Sequence, residues 1–180
     1  MKKILVIGSS GAGKSTFSRR LSEKTGLEVI HLDRLYWKPN WVETTDKTEW
    51  KAVVEKALAG DVWIIDGSYS GTLPMRLEKC DTVIFLDMPR ALCVYRLLKR
   101  LALHRPGARP DMADGCDEKF DWEFIKFIKW TWNYPARSKP KVEALLKSCE
   151  NEKKIIRLKS KREIENFLLN CSPTSVLKCV

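Results

Sequence analysis

The stretch Gly8 to Thr16, GSSGAGKST, decides the fold of this 180-residue chain, and it directly follows the apolar run Ile4 to Ile7. It matches the pattern G-x-x-x-x-G-K-[ST] at every fixed position, with Lys14 in the lysine place. The apolar run predicts a buried strand, and the residues after the motif predict a helix. Strand, glycine-rich loop and helix in this order favour phosphate binding over the alternative, a glycine-rich turn with a chance lysine.

Each residue type in this motif has a physical role in binding phosphate. Gly8, Gly11 and Gly13 permit backbone conformations in which consecutive N–H groups turn toward an anion. Lys14 then reaches the β- and γ-phosphates of a nucleotide, and Ser15 offers its hydroxyl to magnesium. The sequence therefore predicts ATP and Mg2+ as cofactors. The predicted nucleotide contacts are Gly8, Ser9, Ser10, Gly11, Ala12, Gly13, Lys14, Ser15 and Thr16.

Length and composition indicate one globular domain. Hydrophobic residues make up 44% of the chain and charged residues 31%, which excludes a disordered or fibrous protein. No apolar run approaches the roughly 20 residues that span a bilayer, so we expect no membrane partner. The six cysteines form no C-x-x-C pair, which argues against zinc and disulfides and favours a reducing, cytoplasmic location. We expect a single domain over residues 1–170 and a loose tail over residues 171–180.

Short apolar segments alternate with amphipathic segments along the chain. Strands are predicted over residues 3–7, 28–32, 62–65, 82–86 and 154–158. Helices are predicted over residues 14–25, 46–60, 89–103, 121–134, 140–148 and from 160 onward, the fourth of them ended by Pro135. Residues 34–45 are predicted to be a connecting loop or a short irregular segment, and residues 104–120 are predicted to be a loop. The alternation predicts an α/β fold of three layers, in which helices cover both faces of a five-stranded parallel sheet.

Two helix starts carry the pattern of a capping box. Asp46 is followed three residues later by Glu49, and Ser160 is followed three residues later by Glu163. In such a box the first side chain accepts a hydrogen bond from an otherwise unpaired N–H group of the first helical turn. Both patterns therefore predict where a helix begins.

Acidic residues follow the predicted strands at the edge where a parallel sheet of this kind binds its ligands. Asp66 ends the strand VWIID, and a carboxylate there can position magnesium together with Ser15; the alternative is an aspartate that caps a turn. Asp33 and Arg34 end another strand. Asp33 can accept the proton of an attacking hydroxyl or help to hold magnesium, and Arg34 can bind an anionic acceptor; the alternative is a surface ion pair.

Other residues at strand and helix ends receive plainer interpretations. Asp87 ends the strand before Pro89, and we expect it to cap the helix that follows. His31 is interpreted as an ordinary strand residue. Arg137 lies directly after a predicted helix, where it is either a further phosphate contact or a plain loop residue.

The positive charge of the chain is concentrated in one segment. Residues 88–110 hold six basic residues and no acidic ones: Arg90, Arg96, Lys99, Arg100, Arg105 and Arg109. Arg96 and Arg100 are four apart and share one helical face. Arginines that close over a transferring phosphoryl group stabilise its charge, so we interpret this segment as a lid; the alternative is a solvated basic helix. Lid and acceptor-binding insertions are expected at about 95–135 and 34–60.

Two groups stand out among the seven tryptophans. Trp37, Trp41 and Trp63 lie where they could stack on a nucleobase. Three others recur at helical spacing and are interpreted as core: Trp122, Trp130 and Trp132.

Several of these segments together resemble a known family. GSSGAGKST, HLD at residue 33, IIDG at residue 66 and TVIFLDMP around residue 86 resemble the P-loop kinases of small molecules, the adenylate kinase and shikimate kinase group. More narrowly, HLDRLYWKPNW, WIIDGSYSGTLPMRL, NYPARSKP and LKSKREIENFL are similar to the family labelled DNA topology modulation protein FlaR. The resemblance extends to about Leu169.

The kinase resemblance implies roles for individual residues. It implies that residues 11–16 surround the ATP phosphates, that Asp33 lies at the acceptor and Asp66 near magnesium, and that Arg96 or Arg100 belongs to the lid. It also implies that Lys159 and Ser160 contact adenine. Adenylate kinases read D-G-[FY]-P-R where this chain reads DGSYS over residues 66–70, so the arginine expected for a nucleoside monophosphate is missing. The lid lacks the four-cysteine zinc set as well.

Two functions of different classes remain after these observations. The leading hypothesis is a kinase that moves the γ-phosphate of ATP to a small-molecule acceptor, either a hydroxyl compound or a nucleotide. Its rival is a nucleic-acid-associated ATPase that uses the net charge of +10 for binding. No helix-turn-helix, zinc finger or other named DNA-reading module supports the rival.

Overall fold

The computed structural model of this chain describes residues 1–43, 46–103, 111–112, 115–116 and 119–171. Within that part of the chain, the strands are β1 (Lys3–Gly8), β2 (Val29–His31), β3 (Trp37–Lys38), β4 (Val42–Glu43), β5 (Trp63–Asp66), β6 (Thr82–Leu86) and β7 (Lys154–Leu158). Five strands form one parallel sheet in the order β2-β5-β1-β6-β7, and β3 pairs with β4 antiparallel. The predicted five-stranded parallel sheet is confirmed.

The sheet is covered by helices. They are α1 (Lys14–Thr25), α2 (Leu32–Tyr36), α3 (Lys47–Ala57), α4 (Leu73–Lys79), α5 (Arg90–Ala102), α6 (Trp122–Arg137), α7 (Lys139–Ser148) and α8 (Lys161–Leu169). Short 3-10 turns stand at Pro39–Trp41 and Ser70–Thr72. Within the described residues, no helix combines the length and the apolar character that crossing a membrane requires.

The core lies on both faces of the sheet because side chains alternate along each strand. From β1, Ile4 and Val6 pack on one face with residues of α1 and α8, whereas Leu5 and Ile7 pack on the other with residues of α3, α4 and α7. All four side chains are buried. The central strand is therefore apolar on both sides, as the run ILVI predicted.

Both predicted helix starts carry side-chain caps. Asp46 accepts hydrogen bonds from the N–H groups of Thr48 and Glu49 at 2.7 and 2.9 Å. Ser160 accepts the N–H of Glu163 at 3.2 Å, and the Glu163 carboxylate accepts the N–H of Lys159 at 2.8 Å. These bonds satisfy N–H groups that the first turn of a helix leaves unpaired.

The second strand is shorter than predicted, which changes the setting of Asp33. Strand β2 ends at His31, and the chain turns at once into α2, so Asp33 lies in a helical turn rather than at a strand end. Leu32 is fully buried in the core. The apolar pattern of residues 28–32 thus continues beyond the strand, because the first residue of α2 also faces the core.

The prediction of a loop over residues 34–45 was wrong for the part of it that is described. After α2, strands β3 and β4 form a small hairpin around the 3-10 turn, with Trp37 opposite Glu43. The rings of Trp37 and Trp41 meet at 5.5 Å, and Tyr36 packs against Trp50 at 4.9 Å. Aromatic contacts of this kind stabilise so short a hairpin.

Pro135 does not end its helix, which corrects a second prediction. Helix α6 continues to Arg137, and the N–H of Ser138 still donates to the Tyr134 carbonyl at 3.0 Å. A proline inside a helix removes one donor and costs about 3 kcal/mol. Burial of Thr131 and Tyr134 on the packed face offsets that cost.

Helix α4 was absent from the sequence predictions, which assigned no element to residues 68–81. Its seven residues are too few for an amphipathic pattern to stand out. Three of these seven residues are nevertheless buried: Leu73, Arg76 and Leu77.

Four of the tryptophans differ from the predictions made for them. Trp63 is only 1% exposed in the middle of the sheet, so it cannot stack on a base. Trp122, Trp130 and Trp132 were predicted to be core, yet they are 67%, 44% and 43% exposed on α6. The helix buries Phe124, Thr131 and Tyr134 instead, and a ring at helical spacing does not reveal which face is packed.

Some predictions concern residues outside the described ranges. Arg105 and Arg109 of the expected lid belong there, as do residues 172–180 of the expected tail. Cys171 is described, and it is buried in the same core cluster as Leu168.

Candidate active site

The carboxyl ends of neighbouring strands bring the predicted site residues to one edge of the sheet. Asp66 at the end of β5 pairs in register with His31 of β2 and with Val6 of β1. Gly8, which opens the glycine-rich loop, pairs with Leu86 of β6. The loop, Asp66 and the start of α2 therefore lie side by side, as parallel strands require.

Two glycines of the loop are fixed by close backbone contact. Gly8 has a φ of 150°, and a Cβ atom there would lie 2.6 Å from the Leu86 carbonyl oxygen. Gly11 has a φ of 73°, and a Cβ atom there would clash with the carbonyl of Cys93 in α5. Any larger residue would push the loop away from β6 or α5, so both positions need glycine.

Side chains bind the carbonyl groups of this loop. Arg96 of α5 donates to the Ala12 carbonyl at 2.9 Å and to the Gly11 carbonyl at 3.4 Å. Lys14 donates to the Ser9 carbonyl at 3.1 Å, and Ser68 donates to the Gly8 carbonyl. Because N–H and C=O point in opposite directions across a trans peptide, the bond to Ala12 turns the next N–H group away from Arg96. This is the arrangement a phosphate-binding loop needs.

The ammonium group of Lys14 is buried, and two carboxylates act on its charge. Burial lowers the pKa of its ammonium group, and the nearby carboxylates of Asp33 and Asp66 raise it, with a net lowering. The positive charge of Arg100 in α5 lowers it further. A cation held here at a desolvation cost interacts strongly with any anion that enters.

Asp66 is bound on one side only. Its Oδ1 lies 2.9 Å from Nδ1 of His31, while its buried Oδ2 has no hydrogen-bond partner in the described structure. Burial lowers the pKa of His31, but the bond to Asp66 and the charges of Asp66 and Asp111 outweigh this and raise it overall. Magnesium takes oxygen ligands, directly or through water, so the unpaired carboxylate oxygen of Asp66 is a suitable ligand for it. Asp66 and Ser15 are the residues that would hold it.

Replacing Asp66 tests this fit. Asp66→Asn should raise the magnesium concentration needed for half-maximal ATP turnover by about tenfold, whereas ATP affinity without metal should change little, because backbone N–H groups hold much of the nucleotide. Titration calorimetry of ATP with and without magnesium supplies a readout besides activity. Asp61→Asn, an exposed carboxylate before β5, is the matched control. A magnesium titration identical to the parent's would contradict a metal-binding role for Asp66.

Asp33 lies in the first turn of α2, two residues after His31, the register partner of Asp66. Its Oδ1 accepts a hydrogen bond of 2.8 Å from the hydroxyl of Tyr69, which lies in the loop after β5. Arg34 is exposed beside it. The structure therefore places Asp33 at the same edge of the sheet as the glycine-rich loop, and it leaves Arg34 exposed on the same helical turn.

The remaining predicted site residues lie on three different parts of the fold. Arg96 and Arg100 both approach the loop from α5, as their shared face predicted. Arg137 is the exposed last residue of α6, not a residue after the helix. Lys159 and Ser160 lie between β7 and α8, where Ser160 caps the helix.

Asp87 does not cap a helix, which corrects a further prediction. The start of α5 has no side-chain cap. The Asp87 carboxylate instead binds Lys139 at 2.7 Å and Arg157 at 3.4 Å. Both cations come from far along the chain, so the spacing between Asp87 and Pro89 could not reveal them.

Sequence reasoning missed three residues of this site: His31, Tyr69 and Arg76. His31 and Asp66 are register partners in the sheet, so a correct strand order would have paired them. Tyr69 stands where the adenylate kinase pattern D-G-[FY]-P-R has proline, and this departure was the available signal. Arg76 lies in α4, which no pattern predicted.

Comparison with known families agrees with this geometry. A family model described as AAA domain matches residues 4–105, more than half of the chain. The chain belongs to this AAA domain family. It is also 29% identical over 100 residues to the uncharacterized protein YqaC of Bacillus subtilis (strain 168). That match covers 55% of this AAA-family chain and 56% of YqaC, so the chain spans little more than half of its relative.

Solved structures extend the likeness over nearly the whole of this AAA-family chain. A sugar kinase from Janibacter sp. HTCC2649 is 21% identical, with a TM-score of 0.52 and 97% of both chains covered. A gluconokinase from Sinorhizobium meliloti 1021 is 15% identical, with a TM-score of 0.53 and 99% and 98% covered. At such identity the likeness shows the fold alone, and it is the predicted α/β P-loop fold. The narrower FlaR-type resemblance stays a prediction.

Proposed function

We propose that this protein is a kinase that transfers the γ-phosphate of ATP to a hydroxyl group of a small molecule, with magnesium. The observation that carries the proposal is that Asp66 at the end of β5, Asp33 in the helical turn after β2 and Lys14 at the start of α1 all lie at one edge of the sheet. A phosphate-binding lysine with a metal-type carboxylate serves nucleotide binding in many P-loop proteins. A second carboxylate close to the same lysine is what phosphate transfer to a hydroxyl adds.

The nucleotide lies along the glycine-rich loop in this proposal. Backbone N–H groups of residues 8–16 bind the phosphates, and Lys14 neutralises charge on the β- and γ-phosphates. Ser15 and Asp66 hold magnesium, which when bound neutralises phosphate charge. Lys159 and Ser160 contact adenine. One domain, residues 1–170, contains all these parts, with acceptor-binding and lid insertions at about 34–60 and 95–135.

The acceptor lies on the side of Asp33. As its oxygen attacks the γ-phosphorus, the bond from that phosphorus to the ADP oxygen breaks, and Asp33 accepts the hydroxyl proton. Arg34, exposed beside Asp33, binds an anionic or polar group of the acceptor. Lys14, Arg96 and Arg100 stabilise the negative charge that spreads over the transferring oxygens, and Arg137 is a further candidate for this role.

The two arginines of α5 should contribute differently. Arg100→Ala should reduce turnover about 10²-fold with little effect on ATP binding, since one cation near the transferring group is lost. Arg96→Ala should weaken ATP binding as well, because the loop carbonyls of Gly11 and Ala12 lose their donor. Lys99→Ala, an exposed cation of the same helix, is the control. Steady-state kinetics with separate ATP-binding measurements distinguish the two, and equal effects at all three positions would contradict this assignment.

A coupled ATPase screen tests the function itself. Sugars and other polyols, nucleosides, nucleoside monophosphates and hydroxy acids would be offered with ATP and magnesium, and product formation confirmed by mass spectrometry. We expect one hydroxyl compound to accelerate ATP consumption and to gain a phosphoryl group. Stimulation by DNA or RNA alone, falling steeply with salt, would favour a nucleic-acid-associated ATPase instead.

A further inference from the structure

A buried arginine braces the loop that follows β5. Arg76 of α4 is 0% exposed, and its guanidinium donates to the carbonyls of Gly67, Tyr69 and Thr72 at 2.9, 2.6 and 3.3 Å. A buried cation is costly unless its donors are bonded. Here three bonds go to backbone carbonyls within six residues, so the guanidinium fixes the conformation of residues 67–72.

Tyr69 projects from this braced loop toward Asp33. Its ring packs against Tyr36 at 4.8 Å and Trp50 at 5.0 Å, and its hydroxyl donates to Oδ1 of Asp33 at 2.8 Å. Burial and then the negative charge of Asp33 raise the pKa of Tyr69. The phenol therefore keeps its proton at neutral pH and remains a donor.

We propose that Tyr69 is a positioning residue for Asp33, and that Arg76 holds the loop which presents Tyr69. This inference rests on the proposed phosphotransfer function. A carboxylate with one oxygen bonded has a fixed plane, so the Tyr69 bond to Oδ1 leaves Oδ2 to accept the proton of the acceptor hydroxyl. Lys14 approaches the same carboxylate from α1. Tyr69 itself neither gains nor loses a proton during transfer.

The kinetic test uses Tyr69→Phe, which keeps the ring contacts and removes only the hydroxyl. We expect kcat to fall about tenfold while KM for ATP stays unchanged, as the loss of one charge-assisted hydrogen bond allows. In an Asp33→Asn background the same change should cause no further loss, because Tyr69 acts through Asp33. Tyr36→Phe is the matched control: its hydroxyl, in the same aromatic cluster, bonds Glu43. Independent, multiplicative losses in the double variant would overturn the inference.

A spectroscopic test separates this inference from the proposed function. The chain holds four tyrosines, so labelling each ring carbon that bears the hydroxyl with 13C gives four NMR signals. The Tyr69 signal is the one that disappears in Tyr69→Phe or, should that variant not fold, in Tyr69→His. Asp33→Asn should shift this signal and leave the signal of Tyr134 in place. A Tyr69 signal that ignores Asp33→Asn would overturn the positioning role, even in an active kinase. If the protein phosphorylates nothing in the acceptor screen, the proposed function is wrong, but the NMR signal still reports whether Tyr69 contacts Asp33.

Discussion

Lys14→Ala should lower acceptor-dependent ATP turnover by about 10³-fold or more, the upper range for losing one group that stabilises developing charge. The ammonium group donates a hydrogen bond to the Ser9 carbonyl, and the charges of Asp33 and Asp66 act on it. Its lowered pKa records a desolvation cost that a bound polyphosphate would offset. Without it, the β- and γ-phosphates would lose the side-chain cation that lies at the loop itself, and magnesium, backbone dipoles and the α5 arginines would have to balance their charge.

The measurement for Lys14 combines turnover with folding. Circular dichroism and thermal melting should show a folded variant, because the lysine belongs to the loop edge rather than to either core cluster. Lys24→Ala, an exposed cation at the other end of α1, should keep the parent's turnover. A folded Lys14→Ala protein with most of its activity would contradict the phosphate-binding assignment of the loop.

Asp33→Asn should cut phosphotransfer by about 10²–10⁴-fold, the range typical of a lost general base, and leave ATP binding intact. The asparagine keeps the shape of the side chain and an oxygen that can accept from Tyr69, but it cannot take a proton from a hydroxyl. A phosphate acceptor, by contrast, already carries an ionised oxygen and gains little from a base. The size of the loss therefore reports the chemical class of the acceptor.

The Asp33 experiment measures single-turnover transfer to the best acceptor and ATP affinity on the same samples. Asp61→Asn serves here too, as an exposed aspartate whose loss should change neither quantity. A nucleoside monophosphate as the best acceptor, together with a nearly fully active Asp33→Asn variant, would replace the hydroxyl proposal with an adenylate-kinase-like one.

Sequence reasoning was strongest where the chemistry is local. The glycine-rich loop is read directly from its motif, and the strands show as apolar runs because both faces of the sheet are buried. The pairing of His31 with Asp66 could not be predicted, since it depends on β2 lying beside β5 in the finished sheet. The bond between Tyr69 and Asp33 could not be predicted either, because the two residues are 36 positions apart and only tertiary packing brings them together.

Local rules failed where tertiary packing outweighed them. Pro135 is a helix breaker by its own chemistry, yet α6 continues to Arg137 because its buried face is packed. The aromatic residues around Trp37 suggested an irregular loop, but their mutual ring contacts form a hairpin. In both cases the deciding energy comes from neighbours that a window along the chain does not contain.

The glycine-rich loop is completed by residues that the ribosome adds much later. Gly11 fits against the backbone of Cys93, and Arg96 bonds the carbonyls of Gly11 and Ala12. A nascent chain that has just emerged with its first 80 residues thus carries the whole nucleotide motif but lacks the helix against which the motif is shaped. We therefore expect a fragment that ends before α5 to bind nucleotide much more weakly than the whole chain, although it contains the complete motif.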